Sequence, residues 1–249
     1  MKIHRFIGKF IFEDEKAVIE DKDIVNQIKN VLKLRAGEQI ILGDGDSNEV
    51  LVELSTPRGS NVEGRVLKKY KNKNEAEVYG ILYCAILKRE NFEIVVQKAT
   101  EIGISEIIPL ITERTVKLNL NYDRLEKIIK EAAEQSGRGK IPILQKVVKF
   151  EEAIEKVNKN DLNVFLDSSG KFFSVSQREV RVGQRRSIWV GPEGGWSDNE
   201  INYFLSLLAR PKLSEGGSKE KENFKIVSLG KTTLRAETAA IVGSYLLLR

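Results

Sequence analysis

A change of texture near residue 77 constrains this chain more than any other feature of its sequence. Before it, short alternating runs at residues 3–7, 39–42, 49–54 and 62–66 read as strands. Ile24, Ile28, Val31 and Leu32 fall at helical spacing within residues 21–34, and Gly37 stands just beyond as a stop signal. This part predicts a small β-barrel with one helix. After it, strand-like runs at 81–87, 106–111, 143–148, 162–166, 188–190 and 225–229 alternate with helical periodicity at 91–102, 123–136, 150–157, 198–208 and 234–248. Such alternation marks an α/β domain with a mainly parallel sheet flanked by helices. The polar stretch KNKNEAE at 71–77 separates the two, so two domains are expected, 1–75 and 76–249. In the helix at 123–136, Asp123 and Glu126 fit a capping box and Gly137 a C-cap. One segment breaks the rhythm. Residues 210–223 (RPKLSEGGSKEKEN) are rich in Gly, Ser, Lys and Glu, which predicts a mobile surface excursion.

Composition narrows the function classes. No apolar stretch approaches the roughly 18 residues that a membrane span needs, and the opening MKIHRFIGKF scatters its charges among apolar residues, unlike a secretory signal. A cytoplasmic protein is expected. The one cysteine, Cys84, has no partner for an internal disulfide and sits in an apolar run. With one histidine, His4, the chain falls short of the three or four ligands of a structural zinc site, and a Ser-His-Asp hydrolase would rest wholly on that residue. A carboxylate-bound magnesium has no motif behind it. The first 79 residues hold 14 basic and 14 acidic side chains, so the net charge of +5 falls entirely in the C-terminal part. That balance favours polyanionic partners.

Two nucleotide fingerprints fail residue by residue. Gly43-Asp44-Gly45-Asp46-Ser47-Asn48 has Asn where a dinucleotide-binding turn needs its third glycine, and reads as a hairpin turn; Gly230-Lys231-Thr232 has Lys225 where a P-loop needs its first glycine. Two other loops hold, each after a C-terminal strand. Gly191-Pro192-Glu193-Gly194-Gly195-Trp196 leads into the capping box Ser197-x-x-Glu200; its glycines and rigid proline let backbone groups approach a ligand closely, and Glu193 adds a carboxylate. Ser228-Leu229-Gly230 ends the next strand, and Leu234-Arg235-Ala236-Glu237 opens the last helix. Ligands of open α/β sheets bind beyond the carboxyl ends of the strands, so both loops are expected to face one pocket. The structural alternative is a plain strand-to-helix turn in the first loop and, in the second, a glutamate that complements the helix dipole.

These residues carry a resemblance. GPEGGWS-x-x-E followed by LG-x-x-x-LRAETA, the opening HRF from His4 to Phe6, QKATE-x-G from Gln97 leading to Pro109, Glu113 and Arg114, and EAA-x-QSGR from Glu131 with Pro142 occur in family order across nearly the whole chain. The chain resembles the bacterial 16S rRNA N3-uridine methyltransferases of the SPOUT superfamily. The resemblance implies an N-terminal PUA-like β-barrel that helps grip RNA, and a C-terminal SPOUT domain threaded into a trefoil knot, which no periodicity reveals. It implies S-adenosyl-L-methionine as cofactor, held by Leu166, Gly191, Pro192, Glu193, Gly194, Gly195, Ser228, Leu229, Gly230 and Leu234, largely through backbone atoms. It also implies a homodimer and, as substrate, 16S rRNA within the small ribosomal subunit. Uracil N3 bears a proton at neutral pH, so a base must remove it or a cation must stabilise the resulting anion. Glu237 is the candidate base, with Arg138, Arg114 and Arg235 as candidate stabilisers. Phosphates are expected to meet His4, Arg5, Lys88 and Arg89, joined by Arg114, Arg138 and the run Arg178, Arg181, Arg185 and Arg186. Two departures from the family pattern are the length of 210–223 and Trp196, where the family often has Phe. Two other readings stay open: a SPOUT enzyme acting on another rRNA or tRNA site, and a non-catalytic RNA-binding ribosome-assembly factor.

Overall fold

The computed structural model describes residues 3–55, 60–116, 119–173, 185–208 and 223–249. The chain divides into two compact units: the residues up to Glu75 with Lys130–Ile141, and Ala76–Ile129 with Pro142–Arg249. The excursion at 210–222, with Arg178 and Arg181, lies outside the described residues.

Six strands build the sheet of the first unit: β1 (His4–Ile7), β2 (Ile11–Glu13), β3 (Lys16–Ile19), β4 (Gln39–Gly43), β5 (Asn48–Leu54) and β6 (Val62–Lys71), in the order β1-β4-β5-β6-β3-β2. Alternate residues point inward, so Ile40, Leu42, Val50, Val52, Leu54 and Val62 meet Phe6 and Ile19 in one core. The GDGDSN segment is a hairpin turn, with Gly43 opposite Glu49 and the Asp44 carboxylate accepting from the amides of Asp46 and Asn48. The helix expected at 21–34 is shorter than its spacing suggests. α1 (Lys22–Asn26), capped by the Asp21 carboxylate, widens into a π-type turn at Gln27–Val31, where Leu32 donates to the Gln27 carbonyl. The extra residue in that turn rotates the chain's next residues away from the core, and Val31 and Leu32 are exposed at 65% and 36%. β2 and β3 carry the charged stretch EDEK between them and show no clear apolar alternation.

The second unit places β7 (Gly80–Ala85), β8 (Glu106–Ile111), β9 (Ile143–Leu144), β10 (Val148–Lys149), β11 (Leu162–Phe172), β12 (Arg186–Val190) and β13 (Phe224–Ser228) in a wholly parallel sheet. Its order is β10-β8-β7-β12-β11-β13, with β9 beside β8. The single strand expected at 143–148 is two short pairings along β8. α2 (Arg89–Ile102), the first half of α3 (Tyr122–Ser136), α4 (Phe150–Lys156), α5 (Asp198–Leu208) and α6 (Ala236–Leu248) connect and cover the strands; from Lys130 on, α3 belongs to the first unit. The strand pleat sends Leu82, Cys84, Val164, Ile188 and Val190 to one face, against α2 and α6. It sends Ile81, Tyr83, Phe165 and Trp189 to the other, against Phe150 of α4 and Phe204 of α5. Asn121, rather than the Asp123/Glu126 pair, caps α3: its side chain accepts from the Arg124 amide and its carbonyl from the Leu125 amide. Among the described residues no helix is long and apolar enough to cross a membrane.

Candidate active site

Parallel strands end at the same sheet edge, and β12, β11 and β13 are neighbours, so the loops that follow them emerge side by side. They enclose a cavity of about 680 Å³ in the second unit. One wall is the loop 191–196 after β12; another is the link 228–237 from β13 into α6; Lys88 and Asn91 add to the rim. The third wall lies inside β11. Leu166 and Lys171 both pair with Val227, so residues 167–170 bulge out between them, and Asp167 and Ser168 line the cavity. The Asp167 carboxylate folds this bulge by accepting from the Ser169 amide at 2.8 Å and its hydroxyl at 2.6 Å. Gly170 closes the bulge against β13. A Cβ there would lie 2.6 Å from the Val227 backbone, so only glycine fits.

The loop 191–196 is held at several points. Gly195 donates to the Pro192 carbonyl at 2.9 Å in a turn that needs φ +71° at Gly195, the left-handed region that glycine adopts without cost. Trp196 is buried, stacks on Phe165 at 4.3 Å between centroids, and donates its indole N–H to the Leu166 carbonyl at 2.9 Å. Ser197 and Glu200 form the expected capping box: the Ser197 hydroxyl accepts from the Glu200 amide and the Glu200 carboxylate from the Ser197 amide. The other oxygen of Glu200 accepts from the Glu113 amide at 3.0 Å. Arg114 Nη1 donates to the carbonyls of Gly194 and Trp196, each at 2.9 Å. Glu193 accepts from the backbone amide of Lys88 at 3.0 Å.

Glu237 is the chemically conspicuous group. It stands in the first turn of α6, lines the cavity, and its Oε2 is buried with no hydrogen-bond partner. A buried carboxylate oxygen without a donor is costly, so on the wall of a cavity it is a natural point for a donor from outside the chain to meet. Its Oε1 lies 4.0 Å from Nη1 of Arg235, whose side chain is 87% exposed. At that distance, and with one partner almost fully exposed, the pair contributes little to stability, which leaves the Arg235 guanidinium available to a ligand at the rim. Behind the loops, burial and the charge of Glu193 push the Cys84 thiol well above its ordinary range, so it stays protonated.

Of the candidates from the sequence, Leu166, Gly191, Pro192, Glu193, Gly194, Gly195, Ser228, Leu229, Leu234, Arg235, Glu237 and Lys88 line this cavity. Gly230 does not; its carbonyl accepts from the Ser228 hydroxyl. Arg114 sits behind the loop it grips. Arg89 is exposed and pairs with Glu93 at 3.2 Å. Arg186, expected on a surface track, is buried and donates to the Leu247 carbonyl, while Arg185 is paired with Glu106 at 3.0 Å. His4, Arg5 and Arg138 belong to the first unit. There Arg5 pairs with the buried Glu49 at 2.9 Å, and Arg138, itself buried, pairs with Glu75 at 2.8 Å. Glu75 also accepts from the amides of Gly139 and Lys140, and Asn72 donates to Glu49 and the Gly137 carbonyl. The polar stretch at 71–77 is therefore a set of anchors for residues 137–140. The bulge at 167–170 and the Glu113–Glu200 contact carry no motif that spacing alone would reveal.

A parallel α/β domain with a cavity at its strand ends is a ligand-binding architecture that many enzyme classes share, and the chain's matches to known families specify the class as RNA methyltransferase. Residues 74–212 match the model of the RNA methyltransferase domain, and residues 19–67 that of the RNA methyltransferase PUA domain. The chain belongs to the ribosomal RNA small subunit methyltransferase E family. It is 32% identical to a ribosomal RNA small subunit methyltransferase E from Rickettsia conorii over 97% of this chain and 93% of that one. A putative methyltransferase from Legionella pneumophila, solved with bound SAM, superposes with a TM-score of 0.80 at 29% identity, over 99% of this chain and 97% of that one. A ribosomal RNA small subunit methyltransferase E from Neisseria gonorrhoeae shares the fold, with a TM-score of 0.81 at 24% identity over 98% and 95% of the two chains.

Proposed function

We propose that this chain is an S-adenosyl-L-methionine-dependent methyltransferase that modifies N3 of a uridine in 16S rRNA. It works as a cytoplasmic homodimer on RNA of the small ribosomal subunit. The same reading gives a PUA-like domain at 1–75 and a methyltransferase domain at 76–249 with a trefoil-knotted path. The observation that carries it is the cavity walled by two strand-end loops and the bulge of β11, with the unpartnered Oε2 of Glu237 on its surface.

The residues present fit the cofactor. The volume of about 680 Å³ falls within the roughly 300–1,000 Å³ of small-ligand pockets. The turn at 191–196 leaves backbone open at Gly195, where an added Cβ would meet nothing within 4 Å, while the missing Cβ atoms of Gly191 and Gly194 make room for Trp196 and Arg114; Leu166, Leu229 and Leu234 offer apolar contact. The unpartnered Oε2 of Glu237 suits the other reactant, a base that brings an N–H donor. When bound, S-adenosylmethionine supplies an electrophilic methyl group on a sulfonium.

The chain's own residues then do three things. The backbone of 191–195 and 228–229 binds and orients the cofactor. Glu237 takes the proton from uracil N3, the role that its place on the wall and its open hydrogen-bonding capacity support. Arg235, 87% exposed at the rim, stabilises the negative charge that this leaves on the base. Lys88 and Arg89 lie at the start of α2 and meet RNA phosphates there, with His4 on β1 as a further contact. Arg5 and Arg138 serve through their ion pairs, which fix residues 137–140 within the first unit. Mass-spectrometric mapping of methylated nucleotides in small-subunit rRNA from cells with and without this gene tests the reading. One N3-methyluridine should be lost with the gene; an unchanged pattern rejects it.

A further inference from the structure

Arg114 is absent from the lining of the cavity and grips the loop 191–196 through its guanidinium. One nitrogen, Nη1, donates to the carbonyls of Gly194 and Trp196 at 2.9 Å each, so both of its protons are committed to the loop. Its aliphatic stem packs beneath the same loop: a Cβ on Gly194 would touch Cβ and Cδ of Arg114 at 3.7 Å. The two carbonyls it grips flank peptide groups already engaged on their N–H side. Gly195 donates to Pro192, and Ser197 to Glu200. Arg114 therefore fixes which way two consecutive turns of the loop present their backbone. A neighbour on the same segment, Glu113, donates its amide to the Glu200 carboxylate and accepts from the Asn199 side-chain amide through its own carboxylate. The connection after β8 is thus a brace for the connection after β12.

We propose that Arg114 is a positioning residue that holds the loop 191–196 in its ligand-ready shape before any ligand arrives. A charged donor on two carbonyls makes stronger hydrogen bonds than a neutral one, and order installed in the free protein lowers the cost of binding. The brace should therefore appear in cofactor affinity and not in the chemical step. This inference rests on the proposed cofactor site, but its first consequence is independent of any ligand.

Two measurements on the full chain separate the alternatives. Hydrogen–deuterium exchange of the free protein reads loop order directly. Arg114→Ala should speed exchange of the Gly195 and Ser197 amides at least about tenfold while leaving β7 and α6 unchanged. Calorimetric titration with S-adenosylmethionine should then show binding weakened by about tenfold or more, with turnover at saturating cofactor and RNA within about threefold of the parent. Arg114→Lys, which retains the charge, should recover part of both effects and serves as the test if the alanine variant fails to fold. Unchanged exchange at Gly195 and Ser197 overturns the proposal, as does unchanged affinity with a large loss of turnover. If the parent itself fails to bind S-adenosylmethionine, the cofactor reading fails, and the exchange result still decides whether Arg114 is a brace.

Discussion

Replacing Trp196 with Phe isolates the joint between two walls of the cavity. The indole is 4% exposed, packs between Phe165 at 4.3 Å and Phe150 at 5.3 Å, and donates to the Leu166 carbonyl at 2.9 Å. Phenylalanine keeps the stacking ring but removes two buried ring carbons and the N–H. Two carbons at about 0.8 kcal/mol per buried methylene, and a carbonyl left without its donor at about 1–3 kcal/mol, sum to about 3–5 kcal/mol. For a domain of this size each kcal/mol moves the melting point by about 2–4 °C, so a fall of about 6–18 °C is expected for the second unit. Thermal unfolding followed by near-ultraviolet circular dichroism reads it, because both tryptophans of the chain lie in that unit. The cofactor affinity of the variant should also drop, since Leu166 borders the cavity. A melting point within about 2 °C of the parent would show that the indole hydrogen bond does not tie the two loops together.

Three further outcomes rest on named groups. Glu237→Gln keeps the shape of the wall and removes the base; turnover should fall by about 100-fold or more with S-adenosylmethionine binding nearly unchanged, measured by labelled-methyl transfer and equilibrium dialysis, and near-parent turnover would remove Glu237 from the chemistry. Cys84 is fully buried and its thiol is held protonated, so the folded protein at pH 8 should resist maleimide until denaturant is added; rapid labelling in buffer would contradict the packing. Burial raises the carboxyl of Glu134 above its ordinary 4.5, with the Ile7 amide at 2.7 Å pulling the other way. The folded state then binds this proton more tightly than the unfolded chain, so its stabilisation is complete below pH 4.5 and is lost as pH rises through the elevated value. Glu134→Gln keeps an acceptor for Ile7 and has no proton to lose, so the difference in urea midpoint between parent and variant should change over pH 4–7; a constant difference would refute the assignment.

Much of the second unit is legible in the sequence because its signals are local. The capping box of Ser197 and Glu200 sets the start of α5, and the helix observed at Asp198–Leu208 has the bounds its periodicity predicts. The convergence of two loops comes from one general fact about parallel strands. Other features depend on residues far apart in the chain and leave no local mark. Gly170 looks like an ordinary glycine until the Val227 backbone is placed 2.6 Å from where its Cβ would be. Arg114 reads as a free cation until loop carbonyls about 80 positions later are seen to occupy it. The stretch KNKNEAE reads as a linker because its glutamate finds its arginine 63 residues away. In the first unit, Val31 and Leu32 keep helical spacing while a widened turn removes them from the core, and nothing in apolar periodicity distinguishes the two geometries.

Hydrogen–deuterium exchange of the full chain with and without saturating S-adenosylmethionine bears on the cavity itself. Protection is expected at 167–170, 191–196 and 228–237 together, with the sheet edges remote from them unchanged. Protection confined to one of these segments, or centred elsewhere, would contradict a single cofactor site built from all three.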